Sequence, residues 1–371
     1  MEVFLLKRTK TRDPFYDNAR FLLVMFVVIG HFFSPIRSNY EIIEELNNML
    51  SLFRMPALIL ITGFFSKGFL RPGYIEKIFK RILIPYLIFQ FAFGYYYYFL
   101  YDRSEVNIDF LNPQYTLWFL LSLFIWNMLL FIFTRIKYPI LIAFLIGIII
   151  GYSDRAGFYF SIHRTFVFFP FFLLGFYLRK EHFEWVKKAP AKIFGIVGFI
   201  IVWFVVDNLF TTREASLWFS GRYSYDAMEY IRWDIGLVRA LIYVLSLIVA
   251  FSFLAFVPKK KTFFTSLGMR TAYIYILHAA IIRTLYEYYL NDWVSELWHY
   301  YVILIFGILL SFILASRPVV FLTKPFITGS IADFAMRPIS KVTKVIKKKF
   351  NKQISFIKQK LLLSDNNVNK D

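Results

Sequence analysis

Arg20 and His31 frame the stretch RFLLVMFVVIGH, in which a cation and an imidazole are separated by ten apolar or glycine residues. At about 100° per residue, that separation is three helical turns with about 20° left over, so both side chains share one helix face about 16 Å apart. An imidazole in that setting can take a proton from a hydroxyl and return it. A guanidinium at the other depth can hold a phosphate. Each residue alone also admits a plainer reading, a snorkelling interface arginine and a histidine bonded to a neighbouring helix. Ionisable groups inside a membrane span are costly unless paired or wet, which makes every one of them a candidate for function.

Further candidates follow along the chain. Asp17, one turn before Arg20, is placed to orient its guanidinium. The stretch FRMPALILITGFF carries Arg54 at a depth matching His31, with Pro56 just after it, and a guanidinium beside an imidazole suits proton abstraction with oxyanion stabilisation. Pro56 is equally well read as a simple kink. In YIEKIFKRILIPYL, Lys77, Lys80 and Arg81 crowd a helix start, where they can hold phosphates or simply mark the cytoplasmic side. In LGMRTAYIYILHAA, His278 falls near mid-span with Tyr275 one turn earlier and Arg270 toward the inner side; a core histidine satisfied by the tyrosine is the alternative. Arg239 and Arg283 also fall within spans, His163 and Arg164 stand at the mouth of another, and His182 and His299 carry no assignment.

The elements that must position these groups are membrane helices. Of the 371 residues, 58% are hydrophobic and 22% aromatic, and apolar segments recur from end to end. The expected class is all-α, a polytopic membrane protein of about ten spans near 16–36, 46–66, 82–100, 115–133, 138–152, 164–178, 193–209, 236–257, 267–289 and 298–316. With the N-terminus in the cytoplasm, the inner loops and tail carry 31 Lys and Arg, and the outer loops carry 7 Arg with no Lys. Both termini are therefore expected in the cytoplasm of a multi-pass cell-membrane protein, and the net charge of +19 reads as topology rather than nucleic-acid binding. The N-terminus lacks the long apolar core and cleavage site of a removable signal peptide. The absence of cysteine excludes disulfides, thiolate nucleophiles and Cys-ligated metal. Residues 1–316 are expected to form the membrane domain. In the basic tail 317–371, Val342, Val345, Ile346, Phe350, Ile354, Ile357 and Leu361 recur between lysines at roughly helical intervals; the pattern fits an interfacial helix on anionic lipid or a solvated tail. The run YYYY at 95–98 fits an aromatic interface belt.

Six stretches in order, YDNARFLLVMFVVIGH, FRMPALILITGFF, KRILIPYL, LWFL, FFPFFLLG and LGMRTAYIYILH, resemble the membrane-bound acyltransferase-3 family, within it the branch related to fucose 4-O-acetylases. The resemblance spans the chain, departs from an all-arginine third-helix cluster at Lys77 and Lys80, and includes no appended soluble domain. It implies ten core helices that take an acyl group, usually acetyl, from cytoplasmic acyl-CoA to a hydroxyl of a glycan. Arg20, Lys77, Lys80 and Arg81 would then hold the CoA phosphates and His31 would be the base. Arg54 would face the oxyanion, and His278 and Tyr275 would position the acceptor or relay protons. No metal is implied. The rival readings are a transporter of a lipid-linked sugar or anionic solute, against which no inverted repeat is found, and a scaffold whose tail recruits partners.

Overall fold

The computed structural model describes residues 12–154 and 159–331. Each of the ten apolar segments holds a helix. These are α1 (Pro14–Phe33), α2 (Glu41–Phe64), α3 (Tyr74–Leu100), α4 (Trp118–Phe133), α5 (Pro139–Ile149), α6 (Ile162–Tyr177), α7 (Ala189–Leu209), α8 (Gly236–Phe256), α9 (Thr271–Leu285) and α10 (Leu297–Leu314). Among the described residues there is no strand.

By length and composition six of these helices can cross a membrane: α1, α3, α6, α7, α8 and α10. Helices α4 and α5 are apolar but shorter. The remaining two are the helices that carry much of the polar chemistry. Helix α2 is long enough but holds Glu41, Glu44, Glu45 and Arg54, and α9 is only 15 residues before a π-helical turn at Tyr286–Leu290.

Boundaries moved where end effects outweigh hydropathy. Helix α1 starts at Pro14 because Asp13 caps it, accepting from the Phe15 N–H at 3.0 Å. Helix α2 begins ahead of its apolar run, with Glu41 and Glu44 in a first turn that favours negative charge. Residues Thr265–Arg270 form a 3₁₀ turn ahead of α9 rather than its first turns.

Close packing ties the centre together. A Cβ on Gly63 would strike the Phe172 carbonyl and one on Gly175 the Leu60 carbonyl, so α2 and α6 cross in backbone contact, as small residues permit in membranes. The base of α1 is anchored by Asn18, which is buried. Its Nδ2 donates to the carbonyls of Pro258 (2.8 Å) and Lys260 (3.0 Å), and its Oδ1 accepts from Thr265 Oγ1 at 2.7 Å. The tail begins with a short helix, Arg317–Ile327; the lysine-spaced apolar residues expected to lie on lipid fall outside the described residues.

Candidate active site

His31, near the C-terminal end of α1, lines a cavity of about 440 Å³ together with Arg54 of α2 and Tyr275 of α9. Three of the residues singled out by type and spacing thus meet in one place. The fourth, His278, is fully buried beside them, its ring centroid 5.3 Å from that of His31.

Arg54 is held by a notch in α1. A Cβ on Gly30 would land on its Nη1, so only glycine at that place admits the guanidinium, which donates to the Phe26 carbonyl at 3.3 Å. The residue immediately before the histidine is thereby the one that lets the arginine approach it.

Tyr115 was not singled out from the sequence, yet its hydroxyl lies 2.8 Å from His31 Nδ1. For His31 to accept a proton at Nε2, Nδ1 must carry the hydrogen and donate to the Tyr115 oxygen. Tyr115 sits at a φ of 41°, a left-handed conformation costly for a bulky residue, so its surroundings must hold it there. Three side chains do. Buried Gln90 of α3 donates Nε2 to the carbonyls of Asp109 (2.5 Å) and Asn112 (2.9 Å) and accepts the Gln114 N–H at 2.8 Å. Tyr86 donates to the Phe110 carbonyl at 2.6 Å, and Tyr275 to the Thr116 carbonyl at 2.8 Å. Tyr275 therefore spends its hydroxyl on the backbone next to Tyr115. The signal for Gln90 was present as a lone amide within the apolar LIFQFAFG; nothing in periodicity pointed to Tyr115.

His278 has a fixed tautomer. Its Nδ1 lies 3.0 Å from the Ile274 carbonyl, which can only accept, so Nδ1 carries the hydrogen and Nε2 a lone pair with no hydrogen-bond partner among the described residues.

The opposite wall comes from α6 and from the short helix Thr212–Ser220. Arg164 lies over the Trp118 ring at 4.9 Å and donates Nε to the Ser220 carbonyl at 3.3 Å, while Arg239 of α8 donates to the Trp218 carbonyl at 2.8 Å. Glu214 and Thr211 cap this helix reciprocally, and the Tyr230 hydroxyl donates to the Glu214 carboxylate, which holds that carboxyl below its ordinary range. Arg283 of α9 sits over the Tyr115 ring at 4.2 Å.

The basic residues expected at the other end do not line this cavity. Lys77 and Arg81 are exposed, Lys80 pairs with Glu76 at 3.0 Å, and the stretch Phe79–Leu83 makes a π-helical turn within α3. Arg20 keeps the expected ion pair with Asp17 but shares that carboxylate with a second arginine. Arg12 takes the Asp17 carboxylate with two short bonds, 2.6 and 2.5 Å, leaving Arg20 at 3.9 Å and stacked over Phe65 at 4.2 Å. His163 of α6 is buried in the cavity wall, its Nδ1 without a hydrogen-bond partner among the described residues, while the other two histidines accept backbone N–H groups at helix starts, His182 from Arg179 and His299 from Ser295 and Glu296. Among the described residues no group of three or more His, Asp or Glu side chains is placed to hold a metal ion.

A family model for an acyltransferase domain, that of the acyltransferase-3 family, matches residues 13–316. No curated protein and no solved structure matches the chain.

Proposed function

The chain belongs to the acyltransferase-3 family, and on that premise we propose that it moves an acyl group, acetyl, from cytoplasmic acyl-CoA to a hydroxyl of a cell-surface or lipid-linked glycan. The observation that carries the proposal is the meeting of His31, its Tyr115 partner and the Arg54 guanidinium around one cavity. Neither a base nor an oxyanion donor alone would make this an acyl-transfer site; both at one level do.

In the proposed reaction His31 Nε2 takes the proton of the acceptor hydroxyl as its oxygen attacks the thioester carbonyl. Arg54 faces the negative charge that develops on the carbonyl oxygen. Collapse of the tetrahedral intermediate breaks the carbon–sulfur bond, and the imidazolium returns its proton to the CoA thiolate, leaving an ester and free CoA. His278, its ring 5.3 Å from that of His31, and Tyr275, bonded to the Thr116 carbonyl beside Tyr115, position the acceptor or relay protons.

The donor is proposed to enter from the opposite end. Arg20, Lys77, Lys80 and Arg81 hold the CoA phosphates there, and the extended pantetheine arm spans the rise of about 16 Å from Arg20 to His31. The excess of Lys and Arg in alternate loops supports cytoplasmic termini and ten spans in the cell membrane. Residues 1–316 are the proposed catalytic domain, and the basic tail 317–371 its contact with anionic lipid. The stretches noted above support placement near the fucose 4-O-acetylase branch.

The test uses membranes from cells that make the full chain, supplied with labelled acetyl-CoA and the host's own glycans. Label in alkali-labile glycan esters, absent from control membranes, is the expected result. If no ester forms and acetyl-CoA does not bind, the transporter reading replaces this one.

A further inference from the structure

The cavity that holds His31 is lined by Arg37, Arg54, Arg164, Arg222 and Arg283 and, among the described residues, by no aspartate or glutamate. Arg37 meets Glu44, which lies outside the lining, at 3.6 Å. The partners described for Arg54, Arg164 and Arg283 are neutral. Arg54 and Arg164 donate to the carbonyls of Phe26 and Ser220, and Arg283 lies over an aromatic ring. Among the described residues no carboxylate lies within 4.0 Å of Arg54, Arg164 or Arg283. These three come from α2, α6 and α9, so independent elements bring positive charge to one place. The N-terminus of α6, at Ser161, opens on the same cavity and adds the positive end of its dipole.

Partly buried guanidinium groups gathered without a carboxylate are expensive. A ligand that brings negative charge removes that cost. The cations are all arginines, whose planar fork meets two oxygens of a carboxylate or phosphate at once.

We propose that the acceptor is an anionic glycan: a phosphate or carboxylate close to the acylated hydroxyl is held by Arg164 and Arg283, which presents that hydroxyl to His31. The inference rests on the acyl-transfer reading of this cavity and narrows its substrate class. The volume of about 440 Å³ suits a charged sugar unit rather than a bare ion. A neutral sugar would leave Arg54, Arg164 and Arg283 without counter-charge. The phosphates of CoA are the other source of oxyanions, and the cations proposed for them lie elsewhere, about 16 Å from His31 at Arg20 and in the cluster at Lys77, Lys80 and Arg81.

Binding to the full chain in uncharged-lipid nanodiscs tests this, with trigalacturonate, glucose 1-phosphate, maltotriose and coenzyme A as probes in calorimetry. Trigalacturonate or glucose 1-phosphate should bind at least about ten-fold tighter than maltotriose, with a preference that salt weakens. The double variant Arg164→Gln, Arg283→Gln should lose the preference while coenzyme A binds as before. Equal binding of charged and neutral sugars overturns the proposal, and so does a preference that survives the double variant. Coenzyme A that displaces the charged sugar and loses affinity in the double variant also overturns it, since the arginines would then serve the donor. Should the double variant not fold, the wild-type comparison of charged, neutral and CoA probes decides alone. Ester transfer without an anion preference sinks this inference only; an anion preference without ester transfer sinks the acyl-transfer reading and keeps the site.

Discussion

Two cationic regions of this molecule are built in opposite ways. Around His31 the key groups are braced: Arg54 lies in the notch left by Gly30, Arg164 rests between Trp118 and the Ser220 carbonyl, and Tyr115 is held in a left-handed conformation by the loop that Gln90 grips. At the start of α3, Lys77 and Arg81 reach out from an exposed helix face, and Lys80 pairs with its own helix at Glu76. The difference matches what each is proposed to do. Stabilising a charge that exists only in a transition state needs donors fixed beforehand. Gripping phosphates on a flexible cofactor needs only positive potential, which mobile lysines supply.

The strongest way to break that contrast is at Gly30. Gly30→Ala puts a methyl where the Arg54 guanidinium lies, and ester formation is expected to fall by about 10²–10³-fold in kcat, the scale of losing an oxyanion donor. Initial rates that stay within two-fold of wild type would take Arg54 out of the chemistry. Next in size, Tyr115→Phe removes the hydroxyl on His31 Nδ1 and is expected to lower kcat by about ten-fold while the KM for acetyl-CoA holds. A change confined to KM would mean that Tyr115 binds substrate instead. A similar loss, about ten-fold, is expected in acetyl-CoA affinity for the triple variant Lys77→Ala, Lys80→Ala, Arg81→Ala, with kcat intact and a flatter salt dependence. Unchanged affinity would remove these residues from the donor site. Gln90→Leu leaves loop carbonyls and an N–H without partners and is expected to cost about 1–3 kcal/mol of stability, read as a lower Tm of the full chain in detergent.

The smallest effect concerns pH. The Glu214 carboxyl is depressed by its hydrogen bonds to Tyr230 and Thr211, so its contribution is present above the ordinary carboxylate range and is lost as pH falls through the depressed value. Acid should therefore loosen the Thr212–Ser220 helix, seen as faster amide exchange there, before it touches the α1–α2 pair. Glu214→Gln should abolish that acid sensitivity, and unaltered exchange in the variant would discount the capping account.

Helix positions were legible because a span is a long apolar run, and His31, Arg54, Tyr275 and His278 stood out as polar groups within such runs. Their meeting at one cavity was not contained in any one helix, since periodicity gives faces but not which faces pack together. Arg164 and Arg283 were visible as intramembrane or mouth arginines, but a shared cavity is a property of three helices at once. Tyr115 escaped because it lies in an irregular loop whose path is set by the Gln90 and Tyr86 hydrogen bonds. Asp17 pairs with Arg20 as expected, at 3.9 Å, but Arg12, just ahead of the helix, folds back and takes the shorter bonds to the same carboxylate, which the helical spacing did not foretell. The six helices that meet the length and composition of a span, against ten apolar segments, show the same limit, because residues that build the site make α2 less apolar.

The most direct test of the account is single-turnover ester formation by purified full chain, wild type against His31→Ala, with acetyl-CoA binding measured on the same samples. Loss of about 10²–10⁴-fold in rate with unchanged acetyl-CoA affinity is the predicted result, the range for removal of a positioned general base. Equal rates in the two proteins would contradict it and move the catalytic centre away from His31.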